Sequence, residues 1–414
     1  MSRKSSRGVP YCAATLLLAL SLANIAFAVV SEQAIYTFSG NPAGFGPLTK
    51  LVYRSGKLYG ATTAGGAARS HCGTVFELIP RMAGGWFYRN LHSFIGGQDG
   101  CGPVGNIIFD RAGNIYGVTG SDGDWGFGTV YELSPGTDGK WTHQVLYAFF
   151  FPPDGESPDA GLIMDPAGNL FGTTSSGGNS SGGTVFELSL GSNGLWNETV
   201  LYNFTGPDGD SPRAEVIMDA KGNLYGTTFS GGANSLGTVF KLSPNPEGGW
   251  SESVLYSFTG GDDQGLVNAP VWMDATGNLY GTTIGALNNV QFGTVFQLKP
   301  TPGGTWTETT LHTFGLQQSD GAVPAGGLTA DAYGHLLGTT KAGGIDFAGT
   351  VYKLTRGSSG TWNYGIYFTL TGGQKGGVPS APVTFGKGSS FFGPTTGGPT
   401  NGTPSSSVIY EIIP

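Results

Sequence analysis

Apolar and polar residues alternate along this chain in short bursts, each closed by glycine, aspartate or proline. Gly183-Thr184-Val185-Phe186-Glu187-Leu188 is one such burst, and it recurs from Gly73, Gly128, Gly237, Gly293 and Gly349. A period of two, with Val, Thr, Tyr and Phe enriched, predicts half-buried β-strands. Three companion stretches share the same spacing. A proline-led stretch ends in aspartate, as in Leu162-Ile163-Met164-Asp165, and Asn169-Leu170-Phe171-Gly172-Thr173-Thr174 follows it. After the burst, a stretch opens at tryptophan and ends in Leu-Tyr-x-Phe, as in Trp196 through Phe204. The separators (Asp-x-x-Gly-Asn, Gly-Gly, Ser-Pro, Asp-Gly) are turn chemistry: aspartate caps the turn and glycine takes positive φ.

The four stretches repeat as a unit. The glycine of the Leu-Tyr-Gly-Thr-Thr type falls at Gly60, Gly117, Gly172, Gly226, Gly281, Gly338 and Gly393, in steps of 57, 55, 54, 55, 57 and 55 residues. Seven units of four antiparallel strands predict an all-β, seven-bladed β-propeller. The ends of the chain carry a second signal. Ala34-Ile35-Tyr36-Thr37-Phe38 is a fourth-strand element with no preceding three, and Val408-Ile409-Tyr410-Glu411-Ile412 is a third-strand element with no fourth. Pairing them closes the ring through the last blade and removes the open sheet edges. Trp86, Trp141, Trp196, Trp250, Trp306 and Trp362 recur at one phase, which predicts packing plugs between blades or beneath the outer strand.

Composition narrows the alternatives. Glycine makes up 74 of 414 residues without a three-residue period, which excludes collagen and disfavours helical bundles, where each interior glycine costs about 1 kcal/mol. Residues 1–28 read as a secretory signal: Arg3, Lys4 and Arg7, an apolar run from Ala13 to Ile25, then Ala26-Phe27-Ala28. Residues 29–414 are then a single exported propeller domain, and loss of three basic residues moves the net charge from −8 to −11. That balance argues against nucleic acid and anionic membranes as partners. Cys72 and Cys101 lie in a second-to-third-strand loop and the next blade-to-blade loop, on one face, and an exported compartment favours a disulfide between them.

Tandem Leu-Tyr-Gly-Thr-Thr, Gly-Gly and Gly-Thr-Val-Phe-x-Leu units resemble the GloVer-type repeat of the choice-of-anchor tandem-repeat proteins, over about Ile35 to Leu370; the last unit departs from it at Phe391-Phe392-Gly393-Pro394-Thr395-Thr396. The resemblance implies bacterial export and a repeat architecture without a set activity. The glycine pair and strand-opening tryptophan are more distantly similar to kelch propellers.

Function is sought where the repeat is broken. The loops between second and third strands vary most: Arg69-Ser70-His71-Cys72 in the first blade, Asp122-Gly123-Asp124-Trp125-Gly126-Phe127 in the second, Asn288-Asn289-Val290-Gln291-Phe292 in the fifth, Ile345-Asp346-Phe347 in the sixth, and Gly397 to Ser406 in the seventh. A tryptophan beside carboxylates is a sugar-gripping arrangement, so Arg69, His71, Asp122, Asp124, Trp125, Phe127, Asp346 and Phe347 are the candidate ligand-binding residues. The repeated Asp110, Asp165, Asp219, Asp274 and Asp331 read as turn caps. His71 reads as a solvated loop residue, Asp122-x-Asp124 lacks the rest of a calcium loop, and no metal or cofactor is expected. No nucleophile-elbow, P-loop or zinc-protease motif occurs. The expectation is a monomeric, non-catalytic binding or scaffold module for a glycan or an exported or cell-surface protein. The alternative is a polysaccharide hydrolase or lyase at the channel mouth, with acids drawn from Asp122, Asp124 or Asp346.

Overall fold

The structure, a computed structural model, describes residues 30–40, 42–67, 70–285, 292–315, 320–358, 360–397 and 407–414. Residues 1–28, read above as a secretory signal, together with Arg69, residues 288–291 and residues 398–406 lie outside the described residues. Seven four-stranded antiparallel blades form a ring, blades 1 to 6 spanning 52–93, 101–148, 163–203, 217–257, 272–313 and 321–369. In blade 6 the innermost strand is broken into Gly321–Pro324 and Thr329–Ala330, both paired to Leu336–Gly343. Blade 7 joins Thr384–Phe385, Phe391–Thr395 and Val408–Ile413 to the N-terminal Ser31–Thr37, with Ala34 opposite Tyr410 and Thr37 opposite Val408. The expected ring closure is therefore observed.

Most inner strands are shorter than the alternation implies, only two residues in blades 3, 4, 5 and 7. The residues before them line the central channel, where the backbone bonds to the neighbouring blade. Thr173, Thr227, Thr282 and Thr339 donate their hydroxyls to the carbonyls of Ala214, Ala269, Gly326 and Ala381, at 2.9–3.2 Å.

The repeated glycine of the second strand is a packing residue. Gly226 sits opposite Phe240, and a Cβ there would lie 2.5 Å from the ring tip. Gly172 and Gly281 meet Phe186 and Phe296 at the same distance. Each ring is fully buried, so one deleted side chain makes the space that the next strand fills. The tryptophans do pack across blade boundaries: Trp86 meets Phe392 edge-on at 5.6 Å, and Trp362 meets Tyr280 at 5.5 Å. The repeated aspartates cap hairpins. Asp219 accepts the N–H groups of Lys221 and Asn223 at 2.8 and 3.0 Å, and Gly222 adopts φ 81°.

A second repeated device clamps neighbouring blades near their outer edges. The aspartate of the blade-to-blade loop accepts a bond from the fourth strand behind it and faces a side chain of the fourth strand ahead. Tyr147–Asp154–Glu198 stands between blades 2 and 3, Tyr202–Asp208–Glu252 between 3 and 4, and Tyr256–Asp263–Glu308 between 4 and 5. His312–Asp320–Tyr364 fills the place between 5 and 6, and His92–Asp99–His143 between 1 and 2. Burial, and then the facing aspartate, push Glu198 up to about 8 and Glu252 up to about 7. Between blades 6 and 7, Lys375 takes the aspartate's place and attracts Glu32.

Candidate functional site

The loops between second and third strands do share a face with the blade-to-blade loops, and a disulfide joins the two kinds. Cys72 and Cys101 are bonded at 2.08 Å, with Cα atoms 4.6 Å apart. Asp122, beside them, has φ 61° and turns its carboxylate onto the N–H of Gly97 at 2.9 Å, bracing the same loop. Closing a 29-residue loop is worth about 3 kcal/mol in the unfolded chain. Reduction is therefore expected to lower the urea midpoint measurably, and an unchanged midpoint under reductant would overturn that.

Of the remaining candidates, His71 is exposed, with φ 55°. Asp346 and Phe347 are exposed on the sixth blade, remote in the ring order from Asp122 and Asp124 on the second. Trp125 and Phe127 come together with two residues that the loop comparison does not single out. Phe151, on the link from blade 2 to blade 3, meets Phe127 edge-on at 5.2 Å and Trp125 at 6.3 Å. Trp125 is 57 % exposed and Phe151 58 %, with Phe150 also exposed beside them. Asp124, next to Trp125 in the chain, lines an open groove with Ile95, Gln98, Asp99 and His143. A signal for Phe150 and Phe151 is present in the sequence: Phe149-Phe150-Phe151 is a run of aromatics where the repeat carries only one.

The channel is the second concave feature, a cavity of about 530 Å³ lined from all seven blades. Three of its polar residues sit three places after the inner-strand proline: Lys50 in blade 1, Asn106 in blade 2 and Glu215 in blade 4. Asn106 accepts the backbone N–H of Lys50 at 2.9 Å and donates its amide to both Glu215 oxygens at 2.7 and 2.6 Å. Glu215 reaches across blade 3 because Gly161 occupies that place there; a Cβ would stand 2.8 Å from its carboxylate. Burial raises Glu215 above the ordinary glutamate range and lowers Lys50 below the ordinary lysine range, each partly offset by the other's charge. The group thus acts as a strut across four blades.

Asp346 stands on the sixth blade, removed in the ring order from Asp122 and Asp124 on the second, and the Asp122 carboxylate is engaged by the Gly97 N–H. The facing carboxylates among the described residues include Glu198 with Asp154, Glu252 with Asp208 and Glu308 with Asp263, repeated at one phase on three interfaces. Threefold repetition marks them as architecture.

The profile of the Gloeobacter/Verrucomicrobia repeat matches residues 24–217, 142–348 and 216–414. No curated protein matches the chain. Among solved structures, an ancestral GH74 enzyme superposes with a TM-score of 0.57 at 12 % identity, covering 88 % of this chain and 47 % of its own. This chain therefore spans about half the length of that enzyme, and the likeness is one of fold. A protein of unknown function from Dyadobacter fermentans gives a TM-score of 0.45 at 13 % identity, covering 92 % of this chain and 97 % of its own. A putative oxidoreductase (glucose dehydrogenase) from Thermus thermophilus gives 0.43 at 14 %, covering 93 % and 100 %. Among the described residues no helix is long and apolar enough to cross a membrane.

Proposed function

Starting from a chain that belongs to the Gloeobacter/Verrucomicrobia repeat family, we propose that this protein is an exported, non-catalytic module that binds carbohydrate on its loop face. One observation carries the reading: Trp125 stands 57 % exposed with Phe151 edge-on to it and Phe127 edge-on to Phe151 in turn, whereas the six phased tryptophans open the fourth strands. Sugar rings offer C–H faces that pack on indole and phenyl groups, and Asp124, next to Trp125 in the chain, supplies an acceptor for hydroxyls. The basic, apolar and small-residue leader and the disulfide support export. A hydrolase is disfavoured because the facing acids recur at one phase on three interfaces as blade clamps.

The test is affinity electrophoresis of wild type and Trp125→Ala in gels containing soluble β-glucan, xylan or mannan. Wild type is expected to be retarded by at least one polysaccharide. The variant should lose about 10-fold in affinity, equivalent to about 1.4 kcal/mol, with its melting temperature unchanged because the side chain is exposed. No retardation of wild type, or equal retardation of both, overturns the carbohydrate reading.

A further inference from the structure

We propose that His92, Asp99 and His143, between blades 1 and 2, form a binding site for a divalent first-row transition-metal ion of the zinc class. Repeat position alone gives no reason to expect a metal, because each histidine stands at a place the repeat already fills. His92 replaces the tyrosine of Leu-Tyr-x-Phe, and His143 takes the place held by Glu198, Glu252 and Glu308 in the next three blades. The interface between blades 5 and 6 has one imidazole, His312, with Tyr364 opposite. Among the described interfaces, only this one has imidazoles on both sides of the aspartate. Blade packing does not require that pairing, since tyrosine and glutamate perform the same clamp at three other interfaces.

The geometry fits a nitrogen–nitrogen–oxygen donor set. His92 Nε2 lies 3.1 Å from one Asp99 oxygen and His143 Nδ1 lies 2.9 Å from the other. One donor atom from each of the three residues falls within 4.8 Å of the others. Donors bound about 2.0–2.1 Å from a tetrahedral ion stand about 3.3 Å apart, so small shifts suffice. The rings are stacked, 6° from parallel with centroids 4.2 Å apart. One ring must therefore tilt for both planes to meet the ion. Asp99 and His143 border the open groove that also holds Asp124, which gives the ion a route in.

The carboxylate is held in place before any ion arrives. The N–H of Ile95 donates to it at 2.7 Å, Cys101 two residues on is pinned by the disulfide, and Asp122 braces Gly97. Burial favours a proton on Asp99, but bonds from His143 and His92 outweigh it and keep the group ionised. Two imidazoles with one carboxylate select zinc, cobalt, nickel or copper over calcium and magnesium. A water completes the set, and any proton on His92 Nε2 or His143 Nδ1 leaves to solvent as the ion binds.

The experiment compares untagged, chelator-treated wild type with the double variant His92→Tyr/His143→Glu, which installs the tyrosine–aspartate–glutamate clamp of the neighbouring blades and so preserves packing. Each is titrated with Zn(II) by calorimetry and with Co(II) by visible absorption. Wild type is expected to bind one ion, give an intense four-coordinate cobalt band, and bind at least about 100-fold more tightly than the double variant. His71, His312 and His335 remain in both proteins as the control for adventitious sites. Equal affinity in the two proteins, no stoichiometric binding by wild type, or a weak six-coordinate cobalt spectrum overturns the proposal. A matching circular-dichroism melt of the two apo proteins shows that a difference is not one of folding.

Discussion

Deletion of residues 30–38 is expected to unfold the whole ring, not merely to shorten one blade. Ser31–Thr37 is the outer strand of blade 7, and its neighbours reach beyond that blade. Thr371, on the link leaving blade 6, donates to Glu32 at 3.0 Å, Tyr36 stacks on Tyr88 of blade 1 at 4.9 Å, and Phe38, 5 % exposed, packs on Phe76 at 5.3 Å. Loss of one buried aromatic costs about 3–5 kcal/mol, against a whole-domain stability of about 5–15 kcal/mol. The deletion also strips Val408–Ile413 of its partner and leaves a bare, apolar strand edge. A blade cannot bury its own faces, so the remaining six lack a fallback state. The truncated chain should show no cooperative urea transition and should aggregate on sizing. A truncated protein that stays monomeric with the wild-type midpoint would show that the ring stands without its latch.

What can be read from the sequence is what the chain states seven times. Seven glycines at near-constant spacing set the blade count, and the phase of the two ends sets the latch, because both are relations between distant copies. The cysteine pair is legible for the same reason, since the repeat places both loops on one face. Gly226 and its equivalents read as markers only. Their role depends on the cross-strand partner at Phe240, and register is invisible until the sheet forms.

The sites are harder to read because side chains there matter through neighbours outside the repeat's own line. Trp125 and Phe127 break the template inside one loop and so stand out. Phe151 completes their patch from the following blade-to-blade link, which reads as mere connection. Lys50, Asn106 and Glu215 lie 56 and 109 residues apart and meet only because the ring curls and Gly161 leaves a gap between them. His92 and His143 each look like a tolerated substitution in a strand; stacked on one aspartate they are a pair.

Stability is expected to fall as the pH rises from about 5 to about 8, the opposite of ordinary acid denaturation. In the unfolded chain Glu198 and Glu252 titrate near 4.5; in the fold, burial and then the facing Asp154 and Asp208 raise them to about 8 and about 7, and Glu308 is raised in the same way by burial and by Asp263 and Asp262. A raised acid holds its proton in the native state after the unfolded chain has released it. Its stabilisation is complete below 4.5 and is lost as the pH climbs through the native value. Each clamp then holds two carboxylates and one proton, with Tyr147, Tyr202 or Tyr256 donating to the aspartate. Asp99, Asp320 and Asp331 are shifted the other way by their histidine bonds despite burial, so their contribution is lost only as the pH falls below the usual carboxylate range. Together the two sets place the stability maximum near pH 5, with a drop of the order of 1–3 kcal/mol for each of Glu198 and Glu252 by pH 8 after solvent screening, and a further loss in the same direction from Glu308. Urea midpoints taken across that range would show the slope. In the triple variant Glu198→Gln/Glu252→Gln/Glu308→Gln, whose amides cannot ionise, the slope should flatten; a variant that keeps the wild-type slope would mean that the clamps do not carry it.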